Sequence, residues 1–115
     1  MRALFHHLSI IVSSEESIVF YTRLGFKEIK RIQRDFDIVV LMEGNGIVLE
    51  LFVDPCHPKR ATAPENMGLR YFSLTVVNFE DIYDVLECSN IKTDWDGKRY
   101  CFISDPDGLP IQLHE

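Results

Sequence analysis

Two six-residue stretches decide the fold of this chain: His7-Leu8-Ser9-Ile10-Ile11-Val12 and Tyr71-Phe72-Ser73-Leu74-Thr75-Val76. They lie 64 residues apart and share one alternation of side chains. Because side chains alternate between the two faces of a strand, each stretch predicts a strand with one apolar face and one face that carries a ring and a serine. The match indicates an internal repeat.

Each of these strands is followed by a pattern typical of a helix. In the first half, Ser13 and Glu16 have the spacing of a capping box, and Gly25 suits the left-handed residue after a helix. In the second half, Asn78 suits a helix start and Asn90 a left-handed end. The apolar stripe of this second helix is predicted to consist of Ile82, Val85 and Leu86.

A hairpin closes each half. The glycines of Asn45-Gly46 and Asp107-Gly108 favour the positive φ that tight turns need. The predicted hairpin strands are residues 37–42 with 47–53, and residues 100–104 with 109–114. Weaker strand patterns cover residues 26–32 and 92–96.

These patterns predict an α+β domain over residues 1–115, built from two tandem βαβββ modules whose eight strands form a cleft. The modules span about residues 3–53 and 68–115, and a proline-rich linker covers residues 54–67. A ferredoxin-like domain that dimerises through its sheet would explain one half, but it would not explain the offset of 62–65 residues between the halves.

Composition limits the function classes. The chain has 115 residues and a formal net charge of −6, so neither nucleic acid nor an anionic membrane surface is an expected partner. The N-terminal residues do not resemble a signal peptide, and no apolar run is long enough for a membrane span. Three widely spaced cysteines are expected to be reduced thiols, with Cys101 a small buried hydrophobe, which favours a cytoplasmic location.

Four polar residues are flanked by apolar neighbours at equivalent positions of the two halves. They are His7, Glu50, Tyr71 and Gln112. Their neighbours are predicted to point toward the helices, so these four side chains are expected to line the cleft. His6 should point away from His7, and His114 shares the face of Gln112 by alternation.

The chain resembles the vicinal oxygen chelate superfamily, which includes glyoxalase I, bleomycin-resistance proteins and extradiol dioxygenases. The resemblance covers nearly all of the chain. The motifs on which the resemblance rests are His6-His7-Leu8-Ser9-Ile10, Phe20-Tyr21, Leu24-Gly25-Phe26, Val48-Leu49-Glu50-Leu51, Gly68-Leu69-Arg70-Tyr71, Asp105-Pro106-Asp107-Gly108 and Ile111-Gln112-Leu113. Their order and spacing are more specific for the fold than for the reaction.

The resemblance implies a divalent metal, such as Zn, Ni or Mn, held by four strand positions. His7 and Glu50 match that pattern, whereas Tyr71 replaces the usual histidine and Gln112 the usual glutamate. A neutral tyrosine is a poor ligand and a glutamine brings no charge, so the metal set shrinks to His7, Glu50 and Gln112. Glu50 would then be the sole catalytic base, because Gln112 cannot move a proton.

Each site residue also has a simpler interpretation. His7 and Glu50 can form a hydrogen-bonded pair without metal, and Tyr71 and Gln112 can bind a substrate. Arg60 and Arg99 are either solvated cations, or one of them lies at the cleft mouth and attracts an anionic substrate.

Three hypotheses remain, and each places a small-molecule ligand in the cleft. The first is a metal-assisted lyase or isomerase of the lactoylglutathione lyase type. The second is a metal-free binding or sequestering protein of the bleomycin-resistance type, and the third is an enzyme that uses an organic acid–base group. The resemblance further implies a two-fold homodimer.

Overall fold

The computed structural model describes residues 1–85 and 88–115, and it divides the chain into two compact units, Met1–Lys59 and Arg60–Glu115. The elements of the first unit are β1 (Leu8–Val12), α1 (Glu16–Arg23), β2 (Lys27–Gln33), β3 (Ile38–Gly44) and β4 (Ile47–Val53). Those of the second are β5 (Phe72–Thr75), a 3₁₀ helix (Phe79–Asp84), β6 (Lys92–Thr93), β7 (Arg99–Ser104) and β8 (Pro110–His114).

The first unit is a four-stranded mixed sheet with strand order β1-β4-β3-β2. Strand β1 pairs with β4 in parallel, and the other two pairs are antiparallel. Alternation along the strands buries one face, as the sequence predicts. The buried side chains of the sheet include Val12, Val40, Met42, Leu49 and Leu51, and Tyr21 of α1 is buried as well.

Helix α1 ends as predicted and starts later than predicted. Gly25 has φ +98°, its N–H donates to the carbonyl of Thr22, and the N–H of Phe26 donates to the carbonyl of Tyr21. These two bonds form a Schellman motif, which requires the left-handed conformation that glycine adopts easily. At the other end, the helix begins at Glu16, whose N–H donates to Ser14 Oγ at 3.2 Å.

The second unit repeats the sheet with order β5-β8-β7-β6. Strand β5 pairs with β8 in parallel, and β7 pairs with both β8 and β6 in antiparallel orientation. The predicted strand over residues 92–96 is reduced to two residues, because Asp94 Oδ1 accepts the N–H groups of Asp96 and Lys98 and turns the chain there.

The predicted second α-helix is wrong. Phe79–Asp84 forms a 3₁₀ helix instead, and Val85 already has an extended backbone with φ −90° and ψ 126°. The N–H of Val85 donates to the carbonyl of Ile82, three residues back, as in a 3₁₀ turn. An aspartate in the last turn opposes the helix dipole, and no basic residue there compensates it. Asn90 is not left-handed, and Leu86 lies outside the described residues.

The prediction of reduced thiols at Cys88 and Cys101 is also wrong. The structure joins them in a disulfide with a Cα–Cα distance of 6.3 Å, whereas Cys56 is free and exposed. The contact arises because Ser89 pairs with β7: its N–H donates to the carbonyl of Phe102, and its Oγ accepts the N–H of Phe102. Cys101 is fully buried, as expected, but not as a free thiol. The cytoplasmic location stays a prediction.

The α+β class with two modules is confirmed by these two four-stranded mixed sheets. The single-domain boundaries and the linker stay predictions. Across residues 1–85 and 88–115, no helix combines the length and the apolar character that a membrane span needs.

Candidate functional site

A polar cluster lies at strands β1 and β4 of the first unit. Glu50 Oε1 accepts a hydrogen bond from Ser9 Oγ at 2.8 Å and lies 3.5 Å from His7 Nε2. Ser9 and Glu50 meet because they are register partners on the parallel strands β1 and β4. The structure therefore brings together the predicted pair of His7 and Glu50, and it adds Ser9, which orients the carboxylate.

The expected direction of His6 is wrong. Its Nδ1 lies 2.8 Å from Nδ1 of His7, and the ring centroids are 5.0 Å apart. Both histidines precede β1, which begins at Leu8, so the alternation of a strand does not govern them. The two imidazoles thus contact each other just before β1, and His7 in turn lies within ion-pair distance of Glu50.

The second unit contains the equivalent serine contact. Ser73 Oγ donates to Gln112 Oε1 at 2.7 Å, and the two residues are register partners on β5 and β8. This bond orients the amide of Gln112, whose nitrogen remains available as a donor. Gln112 also lies opposite Phe102 of β7, so both side chains stand on one face of the sheet.

A cavity of about 540 Å³ lies on this face, wholly within the second unit. Gln112 and Tyr71 both line it, together with Phe102, Tyr100 and Trp95. The rings of Tyr71 and Phe102 meet edge to face with centroids 4.8 Å apart, and Tyr100 meets Phe102 at 6.0 Å. The cavity is therefore an aromatic recess with a polar amide, a composition typical of small-molecule sites.

Charged side chains at the cavity are mostly paired. Arg70 donates Nε and Nη2 to the carboxylate of Glu65, and this contact holds the pKa of Glu65 below its ordinary value. Arg60 donates Nη2 to the backbone carbonyls of Leu69 and Arg70, at 2.8 and 3.1 Å. Both arginines line the cavity.

Asp94 and His114 form a second pair, with Asp94 Oδ2 2.5 Å from His114 Nε2. The hydrogen bond to Asp94 raises the pKa of His114 above 6.5, and the bond to His114 lowers the pKa of Asp94 below 3.8. His114 was expected only to share a face with Gln112. It does share that face, since both side chains alternate with the buried Ile111 and Leu113, and its imidazole also braces the turn that carries Trp95, through the carboxylate that caps the turn.

We expect the ion pair of Asp94 and His114 to stabilise the protein most between about pH 4 and pH 6.5. A raised histidine pKa gives a contribution that is complete below the unfolded pKa and disappears as the pH rises through the folded pKa. The lowered pKa of Asp94 gives a second contribution to stability, which is complete above the unfolded pKa of an aspartate and disappears as the pH falls through the folded pKa. In an NMR titration, the imidazole of His114 should therefore titrate above pH 6.5.

Asp94→Asn is the matched control for this titration, because the amide keeps its shape and loses its charge. The pKa of His114 should fall in this variant, and the stability of the two proteins should differ less as the pH rises above the native pKa. An unchanged pKa in Asp94→Asn would show that Asp94 is not the cause.

Arg99, a predicted substrate-binding residue, does not line this cavity. Its guanidinium donates to Glu80 and to Glu115, with 2.6 Å between Nη2 and Glu115 Oε2, and it lies 4.7 Å from the ring centroid of Phe79. The contact with Arg99 lowers the pKa of Glu115 to about 2. These contacts tie the end of the chain to β7 and the 3₁₀ helix.

The residues present do not fit a metal site within either unit. The predicted ligands divide, with His7 and Glu50 in the first unit and Gln112 in the second. Gln112 Oε1 already accepts a hydrogen bond from Ser73. Among the described residues, neither unit holds a group of three or more His, Cys, Asp or Glu side chains arranged for a cation. The predicted ligands of the first unit, His7 and Glu50, are one imidazole and one carboxylate, fewer than the three protein ligands usual in catalytic zinc sites, and His6 beside His7 does not complete such a group.

The fold is that of a known class of protein. Residues 4–113 match the model of the Glyoxalase/Bleomycin resistance protein/Dioxygenase superfamily, and the chain belongs to this family. Members of the superfamily often use divalent metals and often act as dimers.

Individual relatives agree with this assignment. The chain is 38% identical to the Bacillus subtilis protein YwkD, over 96% of this chain and 94% of that one. It is similar to the crystal structure of a glyoxalase family protein from Enterococcus faecalis, with 30% identity, a TM-score of 0.88 and 97% of each chain covered. A bleomycin-binding protein complexed with bleomycin shares the fold, with 16% identity, a TM-score of 0.63 and 98% of each chain covered.

The sequence did not reveal several residues of the site. Ser9 and Ser73 stood on the predicted polar face, but their bonds to Glu50 and Gln112 depend on the register between β1 and β4 and between β5 and β8. Tyr100 and Phe102 alternate with Cys101, a signal that would have placed both rings on one face of β7.

Proposed function

We propose that this protein binds a small organic molecule in the cavity of the second unit and does so without a metal ion. The observation that supports this proposal is the aromatic recess with its single oriented amide. Tyr71 and Phe102 would cover the apolar part of the ligand, and Gln112 would fix its polar group. The bleomycin-binding relative supports the proposal only in that the same fold can hold an organic ligand.

A metal-assisted lyase or isomerase is the second candidate. It is favoured by the distance of 3.5 Å between His7 Nε2 and Glu50 Oε1, two side chains that match the family's ligand positions. In that case Glu50 would be the base that moves a substrate proton. We further propose that the four family positions line one cleft and that the protein forms a homodimer. The metal-free candidate requires neither of these two features.

The proposal predicts that ligand binding withstands metal chelation and depends on Tyr71. A library of drug-sized organic compounds is screened by NMR in the presence of EDTA, and the amide shifts of hits are mapped on the sequence. We expect shifts at Tyr71, Phe102 and Gln112. Tyr71→Ala should weaken the best hit about tenfold, as expected for the loss of a ring with its buried area.

Tyr83→Ala is the matched control, because the side chain of Tyr83 is exposed and lies outside the cavity. It should leave the affinity unchanged. Hits that bind only after Zn²⁺, Ni²⁺ or Mn²⁺ is added would overturn the metal-free proposal and put the lyase candidate first.

A further inference from the structure

The chemistry of the cavity also indicates which class of ligand it takes. We infer that this cavity binds an aromatic anion, a planar ring that carries a carboxylate or a similar acidic group. This inference rests on the proposed function, since it names the ligand class of the same cavity. Three features of the second unit support it: the geometry of the rings, the guanidinium of Arg60 and the donor that Gln112 presents.

The rings favour an aromatic partner. Tyr71 and Tyr100 both meet Phe102 edge to face, with interplanar angles of 83° and 87°. All three rings line the cavity and are only partly buried, so a further ring can meet them in the edge-to-face or offset contacts that aromatic groups prefer. Trp95 also lines the cavity and is fully exposed, so its indole has a large apolar surface that a ligand could cover.

The charges favour an anion. Four charged residues line the cavity, namely Arg60, Glu65, Arg70 and Asp94. Glu65 is engaged by Arg70, and Asp94 by His114. In the described part of the chain, Arg60 has no carboxylate within 4.0 Å, and its effect on Glu65 is the weakest of that residue's contacts. Arg60 is therefore a lining cation without a carboxylate partner among the residues that the structure describes, and its guanidinium is the group that can bind an anion.

The arrangement of Arg60 makes this charge a fixed feature. Its Nη2 is held by the carbonyls of Leu69 and Arg70, the two residues directly before Tyr71. An arginine held at one nitrogen loses less rotamer freedom when its other N–H groups bind an oxyanion. The guanidinium is thus bound to the backbone directly before Tyr71, whose ring lines the same cavity.

Gln112 adds a directional donor. Ser73 holds Oε1 of Gln112 and so orients the amide, whose nitrogen can donate to a ligand. A donor selects a ligand oxygen, and it leaves a ligand N–H group without a partner. The amide and the guanidinium thus favour the same kind of ligand atom, an acceptor oxygen with negative charge.

Matched probes test the inference. We would titrate 4-hydroxyphenylacetate, its neutral amide and cyclohexylacetate into the protein with EDTA present, following Trp95, the single tryptophan of the chain. Equilibrium dialysis would confirm each affinity. The aromatic anion should bind about tenfold more tightly than either the neutral amide or the alicyclic anion, because one charge-assisted hydrogen bond or one ring contact is worth about that factor.

Variants of Arg60 locate the preference. Arg60→Met keeps the apolar stem and should abolish the preference for the anion over the amide. Arg60→Lys keeps the charge and should retain most of it, which separates loss of charge from loss of the backbone bonds. Lys59→Met is the matched control, since it removes the same charge one residue away and outside the cavity. It should leave the preference intact.

The outcomes separate this inference from the proposed function. Equal binding of the anion and the amide would overturn the inference while library compounds still bind the cavity. A preference that survives in Arg60→Met would overturn it too. If neither these probes nor any library compound binds, the proposed function fails together with the inference.

Discussion

Leu51→Ala is expected to lower the free energy of unfolding by about 2–5 kcal/mol, the range for a leucine removed from a packed core. Leu51 is fully buried at the centre of the first sheet, where its register partners are Ile10 on β1 and Val40 on β3. Truncation leaves a cavity between three strands that cannot collapse independently. Urea unfolding followed by circular dichroism measures the change.

Leu4→Ala makes the same chemical change where the side chain is 77% exposed. It should alter the stability by no more than about 0.5 kcal/mol, as surface substitutions usually do. Equal losses for the two variants would mean that the core of the first unit does not lie where the structure places it.

Tyr71→His combined with Gln112→Glu is expected to raise the affinity for Zn²⁺, Ni²⁺ or Mn²⁺ by at least about a hundredfold. Losing a residue that only hydrogen-bonds to a metal ligand already lowers metal affinity about 10–100-fold, so gaining two ligands should have at least that effect. The family resemblance puts both positions in the ligand set with His7 and Glu50. The double variant adds one imidazole and one negative charge, which restores two histidines and two carboxylates. Calorimetric titration of each ion into both proteins measures the gain.

Adding Glu50→Gln to the double variant should cancel most of that gain, because it removes one carboxylate with little change of shape. The native chain is expected to bind these ions weakly. Stoichiometric binding at nanomolar strength by the native chain would contradict the metal-free proposal, and Tyr71 would then have to act as a ligand.

The fold was predictable where the pattern was local. Strand β4 spans residues 47–53 as predicted, because alternating aliphatic residues follow a turn in which Asn45 and Gly46 both have positive φ. The end of α1 at Gly25 was predictable for the same reason, since glycine adopts the conformation that the motif requires. Both features depend on a few adjacent residues.

The missed features depend on contacts between distant residues. The bond between Cys88 and Cys101 requires Ser89 to lie beside β7, which no local pattern reveals. The second helix was overestimated because its apolar spacing was read without weighing the charge of Asp84 at its end. Of the cavity, Tyr71 and Gln112 had been expected at a binding site, whereas Tyr100, Phe102 and Trp95 were missed because they lie on β7 and in the turn after β6.

The two serine contacts described above have an evolutionary consequence. A carboxylate oxygen and an amide oxygen accept the same hydrogen bond from a hydroxyl group, so Ser73 would hold a glutamate at position 112 in the place where it holds Gln112. Exchange between these two isosteric residues needs one base change in a codon and little rebuilding of the sheet. A lineage with this scaffold could therefore gain or lose an anionic ligand in one step, and its chemistry could drift while its architecture stayed fixed.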